Sequence, residues 1–228
     1  MNYVLRDPFR FAQWMNKSMT AFAVVCLLYF ILPIVFGFVL RRNPEFFGLY
    51  RVFTFVVPIV MLGALVAYFA FFFLWLHQAA TNLHALHLPN LSYKPHFSVI
   101  WFFVPIANIV MPYFILSEVV RASDPVADVP GRKFPWHFNP APGSLLMWWI
   151  SLQLCFFLLI YRVLNWVTTG ESVTKVHFLL AMAFMGFVFF LLNHLVSIAG
   201  EVSKQQIAKY KAIAQASENP AVNPWPSQ

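Results

Sequence analysis

Four histidines offer the first prospect of chemistry in this chain. His77, His84 and His87 fall within about an 80° arc of a helix with about 3.6 residues per turn, and His96 follows a short loop. Two or three imidazoles on one face can bind zinc, copper or haem. No carboxylate forms an i, i+4 pair with them and no cysteine is near, so an ordinary interfacial histidine face competes with a metal or haem site. No metal ligand or cofactor-binding residue is assigned on this pattern.

A second polar group sits inside apolar sequence. Asn193 and His194 lie in the last hydrophobic run and Gln153 in the preceding one, at depths within about one helical turn of each other. An interhelical hydrogen bond from Gln153 to Asn193 or His194 is expected, either as glue between helices or as an intramembrane site. Glu118 and Arg121 are spaced i, i+3, which predicts a direct ion pair that either fixes a helix end or offers a charged rim to a headgroup or partner loop. The sequence has no G-x-S-x-G, no H-E-x-x-H and no glycine-rich phosphate loop, with only 8 glycines and 8 acidic residues in all. A membrane hydrolase using Ser117 and a histidine is the enzyme alternative, but a non-enzymatic protein is the expectation, with no catalytic residue and no cofactor.

These groups need positioning, and the stretch around residues 98–120 is built to do it. It is apolar, yet Pro105 and Pro112 each remove a backbone donor and clash with the preceding turn, so an unbroken helix is costly. Asn108 lies between the prolines, where its side chain could bond the carbonyls they release. The stretch begins near Trp101 and leaves the apolar zone through Glu118, Arg121 and Ser123. Such a broken segment is tolerated at membrane depth only where protein or water surrounds it. A re-entrant or amphipathic segment is predicted.

Trp101-Phe102-Phe103-Val104-Pro105-Ile106-Ala107-Asn108, then Pro112, then Glu118-Val119-Val120-Arg121-Ala122-Ser123, resemble the signature of a bacterial membrane family described as domain of unknown function 4328. Trp75 through Leu86 is similar to that family's W-L-x-R-A-x-R-N-L segment, with Asn82 and Leu83 in matching places. Gln78, Thr81 and His84 stand where the family tends to carry basic residues, and Val120 where it has tryptophan. The resemblance spans about residues 50–200. It implies membrane residence and a shared fold, and no activity.

Composition agrees with a membrane protein. Of 228 residues, 61% are hydrophobic and only 10% charged, where a soluble domain has about a quarter charged. The net charge of +7 could suggest nucleic acid, but the basic residues stand singly between apolar runs, as membrane-flanking residues do. Cys26 and Cys155 are isolated within apolar runs and support no disulfide framework. No cleavable leader is expected.

The predicted fold is all-α: four transmembrane helices over about 19–40, 52–76, 145–167 and 176–199, with the broken segment between the second and third. Residues 1–18 are expected as a separate interfacial segment, 124–143 as an extended connector with aromatics at headgroup level, and 201–228 as a solvated helix with a disordered tail. Gly37 in the first span, and Gly63 with Ala67 in the second, are expected to admit a close neighbour. Arg162 is expected to snorkel, and residues 168–171 to form a tight turn. If 98–120 re-enters, ten of the 15 basic residues share one side; if it crosses, the best split is nine to six. Positive-inside bias therefore favours four spans with both termini cytoplasmic, in a bacterial inner membrane. The expected role is an accessory or scaffold subunit that meets other membrane proteins, itself or lipid, and no nucleic acid. The alternatives are a transport or sensing protein with a polar cavity at the broken segment, and a haem- or metal-binding redox subunit.

Overall fold

The structure is a computed structural model that describes residues 6–128, 135–169 and 175–218. The tail prolines, the Gly170–Glu171 half of the expected turn and the Arg162 side chain lie outside the described residues. Helices α1 (Phe9–Arg42), α2 (Phe47–Ala85), α3 (Pro95–Ile100), α4 (Met111–Ala122), α5 (Gly143–Thr169) and α6 (Lys175–Glu218) follow in order, with no strand among the described residues. The chain is therefore all-helical, and three of its helices (α1, α2 and α6) are long and apolar enough to cross a membrane. The described part of α5, Gly143–Leu158, is a shorter apolar helix.

Local sequence explains the ends. The Asp7 carboxylate accepts the Phe9 N–H, one of the free donors at the start of α1, at 2.8 Å, and the last turn carries Arg41 and Arg42, which favour the negative end of the helix dipole. Pro44 prevents continuation. Helix α2 ends where His87 and Asn90 take positive φ on either side of Pro89. Pro112 sits in the first turn of α4, where its missing N–H has no partner to lose. Pro33 and Pro58 lie inside continuous helices.

Helices α1 and α2 pack along each other, and α6 packs on α1. At one end of the molecule the core is closed. Met15, Met19 and Phe22 of α1 meet Tyr68, Phe72, Trp75, Ala79 and Leu83 of α2, Ile115 and Val119 of α4, and Leu195, Ala199 and Val202 of α6, all buried. The i, i+3/i+4 spacing puts each set on one face. Away from that end the surface is apolar and open: Phe38, Phe55, Ile59, Leu62, Leu154 and Phe190 are exposed. Water would not tolerate such a contiguous band, whereas hydrocarbon does.

Several expectations are corrected. Residues from Phe9 onward are not a separate interfacial segment but the first turns of α1, with Ala12 and Met15 buried. The helix after residue 200 is not solvated all round: it continues α6, and Val202, Ser203, Gln206 and Lys209 face the core. In the connector, Trp136 is buried against the protein, and its Nε1–H donates to the Pro89 carbonyl at 2.9 Å. A Cβ added at Gly37 or Gly63 would meet nothing within 4 Å, so neither glycine receives a close neighbour among the described residues.

Candidate functional site

Trp75, Gln78 and Asn82 are spaced i, i+3, i+7 on α2 and so share one face. That face is buried against the last turns of α6 and against the chain just before α1. Asn82, 1% exposed, is its centre. Its Oδ1 accepts the Arg6 main-chain N–H at 3.0 Å and Gln78 Nε2 at 3.0 Å. Its Nδ2 donates to the Arg6 carbonyl at 2.8 Å and to Gln206 Oε1 at 3.1 Å. Both lone pairs and both N–H groups of the carboxamide are thus used. Gln206 Nε2 passes the network on, donating to the Ala79 carbonyl at 3.0 Å and to Ser123 Oγ at 3.1 Å. Trp75 Nε1–H donates to Ser203 Oγ at 3.1 Å.

Lys209 lies one turn beyond Gln206 and is fully buried, with its ammonium donating to the Ala122 carbonyl at 2.8 Å. Burial disfavours the charged form and pushes its pKa down to about 8, while Asp128 and Asp124 oppose that shift. The family pattern marks Asn82, Gln78 and Ser123, while nothing in the sequence assigns Arg6, Gln206 or Lys209 to this network. Their signal was available only as a helical spacing of polar residues, which on its own resembles a solvated face.

Glu118 does not pair with Arg121. Its carboxylate accepts the main-chain N–H groups of Ser92 at 2.9 Å and Tyr93 at 3.3 Å, in the loop after α2. Arg121 turns the other way: its Nε–H donates to the Ser117 carbonyl at 3.2 Å and its guanidinium lies 5.8 Å over the Trp136 ring. The histidines hold the same loop. His77 Nδ1–H donates to the Pro95 carbonyl at 3.1 Å and His84 Nε2–H to the Tyr93 carbonyl at 2.9 Å. A carbonyl can only accept, so these contacts fix which ring nitrogen carries the proton. His87 falls beyond the end of α2 and leaves the arc; His96 stacks on His77 at 5.6 Å. Among the described residues no three His, Cys, Asp or Glu converge as metal ligands.

The broken segment folds back on itself. From Pro95 it runs through α3 to a tip at residues 101–110 and returns through α4 to Glu118. Phe102 and Phe103 pack on Phe73 at 5.3 and 5.1 Å, Trp101 is half-buried, and Pro105 and Ile106 are exposed. Asn108 does not use its side chain as expected. Its N–H donates to the Val104 carbonyl at 2.7 Å, closing the turn across Pro105, and its carbonyl accepts Gln153 Nε2 at 3.3 Å. The Gln153 amide is thereby directed to the broken segment rather than to Asn193, which is exposed, or to His194. Trp149 Nε1–H donates to the Ile109 carbonyl at 3.0 Å. His194 Nε2 and Ser117 Oγ are buried without a hydrogen-bond partner among the described residues. A gap of about 10 Å³ between α2 and α4, lined by His84, Tyr93, Ser98 and Glu118, admits one water and no organic ligand.

Chemically, the site consists of carboxamides, a carboxylate and imidazoles that are engaged with main-chain groups. The arrangement binds polypeptide, and the polypeptide it binds is its own. The family model described as Domain of unknown function (DUF4328) matches residues 41–200, and the chain belongs to that family. No curated protein and no solved structure matches the chain.

Proposed function

We propose that this chain is a non-enzymatic multi-pass membrane protein that serves as an accessory or scaffold subunit for other membrane proteins. The observation that carries the reading is the direction in which its polar groups face. Asn82, Glu118, Gln206 and Ser123 are buried in bonds within the chain. The surface left for others is the apolar band, including the tip of the broken segment, where Phe103 is 68% and Ile106 85% exposed. Membrane-embedded partners, lipid or a second copy of the chain fit that surface, and nucleic acid does not.

The same reading includes four spans, α5 being the third, with residues 98–120 re-entrant. Its support is that Pro95 and Glu118 both lie against the end of α2 and its following loop, while the tip reaches Phe73, about one helical turn deeper than His77. Arg6, Asn82 and Gln206 are bonded together, which brings the regions of both termini to that same end. The ten-to-five split of basic residues in this arrangement supports the cytoplasmic side of a bacterial inner membrane for that end. Purification in mild detergent with mass spectrometry of co-purifying subunits and lipids tests the role. A stoichiometric membrane-protein partner or homo-oligomer, lost on Ile106→Glu, is expected; a lone monomer in every detergent would overturn it.

A further inference from the structure

We infer that Asn82 forms a receptor for the main chain of a peptide, occupied in this protein by its own residue Arg6. The carboxamide meets both polar groups of that one residue, at 3.0 Å for the N–H and 2.8 Å for the carbonyl. A neighbouring β-strand would offer the residue the same pair of bonds. The amide is held in the required orientation from its other side, by Gln78 donating to Oδ1 and by Gln206 accepting from Nδ2. The receptor is therefore preorganised.

Arg6 and Asp7 are exposed and Pro8 is buried, so this stretch is a cover laid over the network rather than part of the helical core. Asn82 belongs to the family-matched region, residues 41–200, whereas Arg6 lies outside it. Asn82 and Gln78 are thus in the matched region, while Arg6 and Gln206 lie on either side of it, and α1 joins Arg6 to the rest. Main-chain bonds carry no side-chain information, so the central residue of the peptide is free to vary provided that it has an N–H. Alanine is accepted there and proline is excluded. The ligand class is a polypeptide with an apolar residue two positions after the residue that is read, where a helix begins, as Pro8 follows Arg6 here. A peptide added in trans competes with the tethered segment, whose effective concentration is high, so the tether must be weakened for binding to show.

The test uses the full-length protein and a fluorescent peptide of residues 1–12, read by anisotropy. The Arg6→Pro protein, which has lost one bond of its own cover, binds the peptide at least about tenfold more tightly than wild type does. In that protein the Arg6→Ala peptide binds as well as the native one, and the Arg6→Pro peptide at least about tenfold more weakly. Adding Asn82→Leu abolishes binding. Equal binding of the proline peptide, or loss with the alanine peptide, would overturn the inference. Should the Arg6→Pro protein not fold, hydrogen exchange at residue 6 decides. The amide stays as protected in Arg6→Ala as in wild type if the main chain is read, and loss of protection there refutes it.

Discussion

Ser92 and Glu118, 26 residues apart in sequence, are joined by a 2.9 Å hydrogen bond from the Ser92 main-chain N–H to Glu118 Oε2. That bond ties the end of the broken segment to the loop after α2 and gives the buried Glu118 carboxylate a donor. A buried carboxylate needs donors, and two main-chain N–H groups supply them.

The first prediction follows from this geometry. Glu118→Ala lowers stability in detergent by about 1–3 kcal/mol, because the main-chain N–H groups of Ser92 and Tyr93 lose a charged acceptor. Arg121→Ala costs less. In a double-mutant cycle the Glu118–Arg121 coupling stays below about 0.5 kcal/mol, the scale expected for residues that share no contact. A coupling well above that would restore the ion pair.

Asn82 and Asn108 make a second comparison. Asn82→Leu strands the Gln78 and Gln206 amides and both polar groups of Arg6, and should cost at least about 2–3 kcal/mol. Asn108→Leu keeps the main-chain bonds to Val104 and Gln153 and should change stability by under about 1 kcal/mol. Thermal unfolding of the two variants in one detergent decides the order.

How far this could be seen in advance differs along the chain. The three long apolar helices α1, α2 and α6 were visible because long apolar runs favour buried or lipid-facing helix, and the doubly broken segment because proline has a local effect. Asn82 stood out only through the family pattern, and Ser123 also as part of the polar exit of the broken segment. Lys209 and Gln206 looked solvated, since their burial depends on the carbonyls of Ala122 and Ala79, which only the folded chain brings to them. Asn108 was assigned to the right place with the wrong atoms. Proximity to proline marks unpaired carbonyls, but not whether a side chain or the main chain answers them.

Lys209 makes stability depend on pH. Its folded pKa, about 8, lies below the 10.5 of an exposed lysine. Between these values the unfolded chain binds more protons than the folded one, so unfolding free energy rises as pH increases through that window. Wild-type protein should therefore gain thermal stability from pH 8 to 10, and Lys209→Met should lose that gain. A wild-type profile falling over the same range would contradict the assignment.

The histidines give a spectroscopic prediction. His84 is engaged with the Tyr93 carbonyl and His77 with that of Pro95, so His84→Leu costs about 1–2 kcal/mol by freeing the loop. It should leave the visible absorption of the purified protein unchanged. A Soret band that disappears in this variant would mean a haem site instead.

Cysteine accessibility tests the account at its centre, which is that the segment between Lys94 and Glu118 leaves and returns on one side of the membrane. Single cysteines at Lys94 and Val126, both exposed, are introduced without Cys26 and Cys155. They are then probed with an impermeant maleimide in right-side-out and inverted vesicles. Both positions should label only in inverted vesicles, from the cytoplasmic face. Labelling of the two from opposite faces would show that residues 98–120 cross the bilayer, and the re-entrant arrangement would be wrong.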